Sequence, residues 1–500
     1  MSQAGLNPEQ IRAIAQAIAR EIDPRGARSP GPAVAGPASA PAAPVARPSV
    51  GKPVASGSFG EGVFATLDEA VDAAVAAYHA LDDVGLGKRK ALIEALRVAL
   101  RRDAERLARE AWEESGLGRF EDKIQKNRLV IEKTPGPEIL VPQAISGDHG
   151  LVLIEPAPYG VIGAITPVTN PTSTIINNAI GMLSAGNSVV FNVHPSAKKV
   201  SAETVRLINR AFVAAGGPPN VVTCMAEPTL ESATALMKHP KIRLLVITGG
   251  PGVVKAAMVS GKRAICGGPG NPPVVVDATA DIEQAAQRII TGHSFDNNII
   301  CVDEKECIVV DAVANDLKKA MARHGAFELP ARELSRLEGV IFSKGAGPRG
   351  HATMNKDLVG KNASVILKAL GIHAGPEVKS IIVEVPNDHP LVWTEQMMPV
   401  LPITRVRDVD AAIALAVEAE GGNFHTAMMH STDIRALSKM ARLSNCSIFS
   451  KNGTGVDGLA HAGEGYTSFT IASPTGEGLT TALSFSRWRR CTLRDHFRIV

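Results

Sequence analysis

Cys301 stands out among the six cysteines of the 500-residue chain because of what precedes it. In FDNNIICVDEKECIVV, the polar run Asp296, Asn297, Asn298 and two isoleucines lead directly into it, and Cys307 follows six residues later in an apolar strand pattern. The acidic segment between the two cysteines reads as a solvated turn. A thiol can attack a carbonyl, bind a metal, pair as a disulfide or pack as a small hydrophobe. The cysteines at 224, 266, 301, 307, 446 and 491 form no CxxC pair and no His/Cys cluster at metal spacing, so reduced thiols and no metal site are expected. A reactive thiol and a buried structural thiol remain as readings of Cys301.

Other chemistry-bearing residues fall at turns. AITPVTNPTS puts Asn170 at a strand-to-helix turn, where an Asn before Pro171 is also a plain turn or cap residue. VITGGPGVVKAA places glycines at a helix start, and RAICGGPGNPP makes a further glycine-rich turn. Backbone N–H groups at such places can face phosphates, although Gly249 to Gly252 do not make a G-x-G-x-x-G fingerprint.

The elements that must carry these turns alternate. Residues from about Thr66 to Glu132 are helical and charged; then LVLIEPAPYGVIGAITPV, NSVVFNVH, NVVTCM and RLLVITGG read as strands separated by amphipathic helices. Short apolar strands alternating with helices predict βαβ units and a parallel sheet covered on both faces, with ligands at the carboxyl ends of the strands. A second α/β block begins near Pro272, and SFSRWRRCTLRDHFRIV ends the chain as an extended arm.

Composition agrees with an α/β protein: 45% apolar, 21% charged, 4% aromatic, formal charge +3. The charge is spread along the chain apart from one small basic cluster near the C-terminus, so no nucleic-acid partner is implied, and no apolar run is long enough to predict a membrane span. Residues 1–22 carry Ile11, Ile14, Ile18 and Ile22 at helical spacing behind Asn7 and Pro8, an amphipathic helix broken by too many charges for an export signal. Residues 23–58 are a Pro/Ala/Gly-rich linker without side chains large enough to offset the entropy of ordering. The length of that linker favours a tethered peptide for another protein over a helix docked on its own chain.

Six segments in order, ITPVTNPTSTIINNAI, TGGPGVVKAA, GGPGNPPVVVD, FDNNIICVDEKE, HTAMMHS and GEGYTSFTIASPTGEG, resemble the aldehyde dehydrogenase superfamily, within it the CoA-acylating branch of bacterial microcompartments. The resemblance runs from about Gly60 to Val500. It implies a Rossmann-type cofactor domain over 59–271 with 451–475 returning to it, an oligomerisation strand near 138–155, a catalytic domain over 272–450 and an oligomerisation arm over 476–500. It also implies a homodimer or homotetramer, and an encapsulation peptide over 1–22 that binds shell or core proteins. The enzyme would then work in the cytoplasm, inside a microcompartment.

By resemblance Cys301 is the nucleophile and Asn170 the oxyanion donor. Thr166 and Pro167 fit the nicotinamide side of NAD, Glu395 its ribose, Thr248, Gly249 and Gly250 the pyrophosphate turn with Gly267 nearby, and His194 with Pro195 the adenosine side. Asn192 replaces the usual Lys, which leaves NADP as the lesser alternative to NAD. CoA, the co-substrate, would reuse the adenosine pocket after NADH leaves. Hydrolytic relatives carry a Glu where this chain has Ile265, and no carboxylate lies between Arg263 and Val276. Water therefore lacks an activating base, whereas a thiol with a pKa of roughly 8.5 has a usable thiolate fraction at neutral pH. The expected reaction is oxidation of a short aldehyde, propionaldehyde ahead of acetaldehyde, to acyl-CoA. A CoA-independent dehydrogenase and an inactive microcompartment interaction protein are the alternatives. His425, His430 and His461 are read as solvated or core residues.

Overall fold

Thr66 starts the first long helix by a reciprocal cap: its hydroxyl oxygen accepts from Glu69 N at 3.3 Å while Glu69 Oε2 accepts from Thr66 N at 3.0 Å. The computed structural model describes residues 59–500. The helix expected over 1–22 and the linker over 23–58 lie outside the described residues.

Strand β1 (Val63–Phe64) precedes helices α1 (Leu67–Asp82), α2 (Leu86–Ser115) and α3 (Phe120–Lys133). Gly116 closes α2 in the left-handed region at φ 65°, a conformation that suits glycine because it lacks Cβ. The antiparallel pair β2 (Gln143–Gly147) and β3 (Gly150–Pro158) follows.

From there strand and helix alternate: β4 (Val161–Ile165), α4 (Pro171–Ser184), β5 (Ser188–Asn192), α5 (Lys198–Ala214), β6 (Val222–Met225), α6 (Leu230–Lys238), β7 (Leu244–Thr248), α7 (Pro251–Met258) and β8 (Ala264–Gly267). These strands form a parallel sheet in the order β1-β6-β5-β4-β7-β8. The period-2 alternation of a strand divides its side chains between two cores. Ile162, Ala164, Val189 and Phe191 pack with α2, α4 and α5, while Val161, Ile165 and Val190 pack with α1 and α6. The order reverses at β4, whose neighbours are β5 on one side and β7 on the other, so a crevice opens at the carboxyl ends of β4 and β7.

A second parallel sheet has the order β11-β14-β15-β10-β9-β16-β17. Its strands are β9 (Pro273–Val276), β10 (Glu306–Val310), β11 (Ala326–Leu329), β14 (Ser380–Glu384), β15 (Val400–Val406), β16 (Thr426–His430) and β17 (Ile448–Lys451), with the small pair β12 (Phe342–Lys344) and β13 (Thr353–Met354) outside it. Helix α8 (Ile282–Ser294) leads from β9 into the Cys301 loop. Cys307 lies in β10, fully buried.

After β17 the chain packs back on the first sheet's helices. Lys133 Nζ donates to Ala460 O at 2.7 Å and Gly463 O at 3.0 Å, and Phe469 N donates to Asn177 Oδ1 at 3.0 Å. The short pair β18 (Ile471–Ala472) and β19 (Gly478–Leu479) leads to β20 (Ser486–Arg494), which pairs antiparallel with β3. That three-stranded sheet leaves Ile145, Trp488 and Leu493 exposed. Among the described residues no helix is long and apolar enough to cross a membrane.

Candidate active site

The crevice at the carboxyl ends of β4 and β7 deepens into a cavity of about 420 Å³ that runs toward the second sheet. Its wall holds Thr166, Pro167, Asn170, His194, Pro195, Thr248, Gly249, Gly250, Cys301 and Glu395, residues from five separate turns. Gly267 is set apart from them: it ends β8 behind the wall, and its carbonyl accepts from Gly249 N at 3.2 Å. The wall at that point is formed by Gly268 and Pro269.

Asn170 occupies the position before helix α4, with Pro171 at the first helical residue, yet its side chain caps nothing. Its Oδ1 accepts instead from Lys126 Nζ at 2.6 Å, and its Nδ2 donates to Thr169 Oγ1 at 3.1 Å. The plain helix-cap reading of this residue is thereby set aside.

The polar run before Cys301 is a left-handed turn. Asp296, Asn297 and Asn298 have φ values of 45°, 56° and 66°, a region where Asp and Asn are the least strained residues after Gly. All three are fully buried, and hydrogen bonds hold each in place. Asp296 Oδ1 accepts from Arg119 N at 2.6 Å, and its Oδ2 takes Lys123 Nζ at 3.1 Å together with Lys126 Nζ. Asn297 accepts from Arg119 Nε at 2.8 Å and donates to Gly360 O at 2.9 Å. Gly118 allows this packing, since a Cβ there would sit 1.9 Å from Asp296 Oδ1. Burial pushes the Asp296 carboxyl up, but Lys123 and Lys126 together outweigh it and hold it below the usual range. Burial brings Lys123 down to about 8 against the pull of Asp296.

The DEKE segment after Cys301 is not the solvated turn its composition suggests. Asp303, Glu304, Lys305 and Glu306 are fully buried. Lys305 Nζ reaches back to donate to Asn298 O and Asn298 Oδ1, each at 2.8 Å, and to Ile300 O at 3.1 Å, so one ammonium ties both ends of the Cys301 loop. Asp303 Oδ2 accepts from Ile300 N at 3.2 Å. Glu304 is pushed up to about 8 by burial.

The Cys301 thiol is half-buried and open to the cavity. Burial, and after it the neighbouring Glu395, push it up to about 12, while Lys305 pulls the other way. Glu395 is itself raised by burial and is opposed by Lys305 and by a hydrogen bond from the Gly270 backbone. Gly270 sits tightly here, because a Cβ on it would lie 2.8 Å from Cys301 O and 3.0 Å from His425 Cγ. His425, expected as a solvated or core residue, is buried behind the Cys301 backbone, its Nδ1 on Thr426 Oγ1 at 2.8 Å and its Nε2 without a partner in the chain.

The opposite end of the cavity suits a dinucleotide. Gly249, Gly250 and Pro251 form the turn into α7 and line the cavity, with Gly250 at the cap position and Pro251 as the first helical residue. Thr166 Oγ1 is buried on the wall and lacks a hydrogen-bond partner in the chain. Thr248 Oγ1 is held by Thr470 Oγ1 at 2.7 Å, and His194, lowered by burial, accepts on Nδ1 from Ser196 N at 3.1 Å. Asn192, which stands in place of the usual lysine, accepts on Oδ1 from Ser232 Oγ at 2.6 Å. An orphaned hydroxyl, a glycine turn that no side chain crowds and an apolar slot fit a nicotinamide dinucleotide.

Ile265 is fully buried in the core and does not reach the cavity. Among the described residues Glu395 is the one carboxylate lining the cavity. No group of three or more His, Cys, Asp or Glu among them is placed to hold a metal ion.

Residues 37–470 match the aldehyde dehydrogenase family. The acetylating acetaldehyde dehydrogenase EutE of Salmonella typhimurium is 50% identical over 440 residues, 88% of this chain and 94% of that protein. The crystal structure of Rhodopseudomonas palustris propionaldehyde dehydrogenase with bound CoA and an acylated cysteine superposes with a TM-score of 0.84 at 48% identity, over 87% of this chain and 99% of that one. A propionaldehyde dehydrogenase from the Clostridium phytofermentans fucose utilisation bacterial microcompartment gives a TM-score of 0.85 at 44% identity, over 88% and 100% of the two chains.

Proposed function

The chain belongs to the aldehyde dehydrogenase family, and from that premise we propose that it is a CoA-acylating enzyme: a two- or three-carbon aldehyde, NAD+ and CoA give acyl-CoA, NADH and a proton. The observation that carries this reading is the pairing of the Cys301 thiol with the Asn170 amide in one cavity that offers water no carboxylate except Glu395.

Cys301 Sγ attacks the aldehyde carbon, and the carbonyl oxygen becomes a thiohemiacetal oxygen that carries negative charge as the bond forms. Asn170 Nδ2 and the Cys301 backbone N–H are the donors for that oxygen, worth most when the charge is greatest. The thiol must first lose a proton that burial and Glu395 hold on it; Lys305 behind the loop favours its release. Thr166, Thr248 and the Gly249–Gly250 turn would hold NAD+, which would supply the acceptor for the hydride that leaves the thiohemiacetal carbon. What stays on Cys301 Sγ is a thioester. The CoA thiolate attacks its carbonyl, the Cys301 C–S bond breaks, and the sulfur recovers its proton as acyl-CoA departs.

Glu395 is the candidate partner of the nicotinamide ribose, with Gly270 N–H fixing its carboxylate. His194 and Pro195, at the far end of the cavity, are candidates for the adenosine of NAD and then of CoA. The kinetic test is NADH formation from propionaldehyde and from acetaldehyde, with and without CoA, beside Cys301→Ala. Sustained turnover that needs both CoA and Cys301 supports the proposal; equal turnover without CoA replaces it with the hydrolytic dehydrogenase.

We further propose that residues 1–22 address the enzyme to a microcompartment lumen through a shell or core protein. The Clostridium phytofermentans relative supports this, as does the amphipathic spacing of Ile11, Ile14, Ile18 and Ile22. Deleting Met1–Ile22 should leave turnover intact and abolish co-purification with shells; retained co-purification refutes the assignment. The exposed edge sheet β2-β3-β20 is the proposed contact of a homodimer or homotetramer, because Ile145 and Trp488 are 60% and 55% exposed on it.

A further inference from the structure

We propose that Lys126 is a positioning residue for the oxyanion site: its ammonium fixes the orientation of the Asn170 amide and ties that amide to the loop carrying Cys301. The inference rests on the assignment of Asn170 as oxyanion donor.

A buried carboxamide can present either its oxygen or its NH2 to a cavity, and only the NH2 stabilises an oxyanion. Lys126 Nζ lies 2.6 Å from Asn170 Oδ1. An ammonium has three donors and no acceptor, so it can face only the amide oxygen. The flipped amide would set NH2 against NH3+, a repulsion that low local dielectric makes severe. Nδ2 is left with Thr169 Oγ1 at 3.1 Å and the cavity. The positive charge behind the carbonyl also polarises the amide and makes Nδ2–H a stronger donor.

What holds Lys126 is equally specific. Lys126 is fully buried on α3, where its second partner is Asp296, the first residue of the left-handed turn that leads to Cys301. One carboxylate thus anchors the nucleophile's loop and the lysine that orients the oxyanion donor. A displacement of either is transmitted to the other through two hydrogen bonds. Lys123 has a different reach: it binds Asp296 Oδ2 at 3.1 Å and Thr169 O at 3.4 Å and does not touch the amide of Asn170.

The test is a double-mutant cycle on the full chain with K126M, N170A and K126M/N170A. It reads the single-turnover rate of NADH formation at saturating propionaldehyde and NAD+ without CoA, NAD affinity by fluorescence titration, and unfolding by circular dichroism. N170A should slow the single turnover about 100- to 1000-fold, the loss typical of an oxyanion donor. K126M should slow it roughly 10- to 100-fold with NAD affinity unchanged, and the double variant should be no slower than N170A alone. No loss in N170A overturns the Asn170 assignment itself. A loss in N170A with a wild-type rate in folded K126M, or losses that multiply in the double variant, overturns the role of Lys126 and leaves Asn170 standing. If K126M does not fold, K126Q runs the same cycle with the same readings.

Discussion

Replacing Lys305 by Met should loosen the Cys301 loop and cost the protein a large part of its stability. The side chain is fully buried, and the substitution keeps most of its stem while deleting the ammonium. Three acceptors then lose their donor: Asn298 O and Asn298 Oδ1 at 2.8 Å and Ile300 O at 3.1 Å. An unsatisfied buried acceptor costs about 1–3 kcal/mol, but these three share one donor and do not add in full. Deleting one member of a buried charged cluster costs about 3–5 kcal/mol, and we expect a loss in that range. Against a net stability of about 5–15 kcal/mol, such a loss should be plain in urea unfolding followed by circular dichroism. A second readout concerns the thiol. Lys305 is the nearby cation that draws Cys301 toward thiolate, so in the folded variant iodoacetamide should modify Cys301 more slowly than in wild type at the same pH. Peptide mass spectrometry separates Cys301 from the exposed Cys491. A stability loss below about 1 kcal/mol, or faster alkylation of Cys301, would refute the view of Lys305 as the tie of this loop.

Gly270→Ala should slow the single-turnover acylation roughly 10- to 100-fold, since its Cβ, 2.8 Å from Cys301 O, must push the Cys301 backbone aside; a wild-type rate would contradict this. Glu304 is held at about 8 in the folded protein, above the carboxyl's range in an unfolded chain. The folded state therefore keeps a proton that the unfolded state releases, and stability falls as pH rises from about 4.3 through 8. Glu304→Gln removes that titration, so its urea midpoint should gain on wild type between pH 5 and pH 8.5; parallel pH profiles would show that Glu304 is ionised in the fold. Trp488→Asp, on the exposed sheet of β3 and β20, should yield a smaller species by light scattering with the single-turnover rate preserved, and an unchanged mass would remove that face from the assembly.

The turns that form the cavity were legible because their signal is local. Apolar runs ending in Thr166, Asn192 and Thr248, each with a Pro or Gly within the next three residues, are what a covered parallel sheet requires, and the order of the strands sends those ends to one crevice. The network under Cys301 was not legible in the same way. Asp296 meets Lys123 and Lys126 across more than 160 residues of chain, so a charge that composition assigns to solvent is buried against partners no window contains. The DEKE segment misled for the same reason. Helix α3 did carry a trace, since Lys123, Lys126 and Val130 fall at i, i+3 and i+7, which puts two lysines on the face that buries Val130. His425 could be read only as a solvated or core residue: its place behind Gly270 follows from the pairing of β16 with β9.

In the mechanism proposed above, the acyl group rests on Cys301 until a thiol removes it. Intact-protein mass spectrometry after mixing with propionaldehyde and NAD+ in the absence of CoA tests this directly. One equivalent of NADH should form, with a propionyl adduct that maps to Cys301, persists in buffer and disappears on adding CoA as propionyl-CoA forms. Continued NADH formation with no adduct would contradict it, because water would then be reaching the thioester.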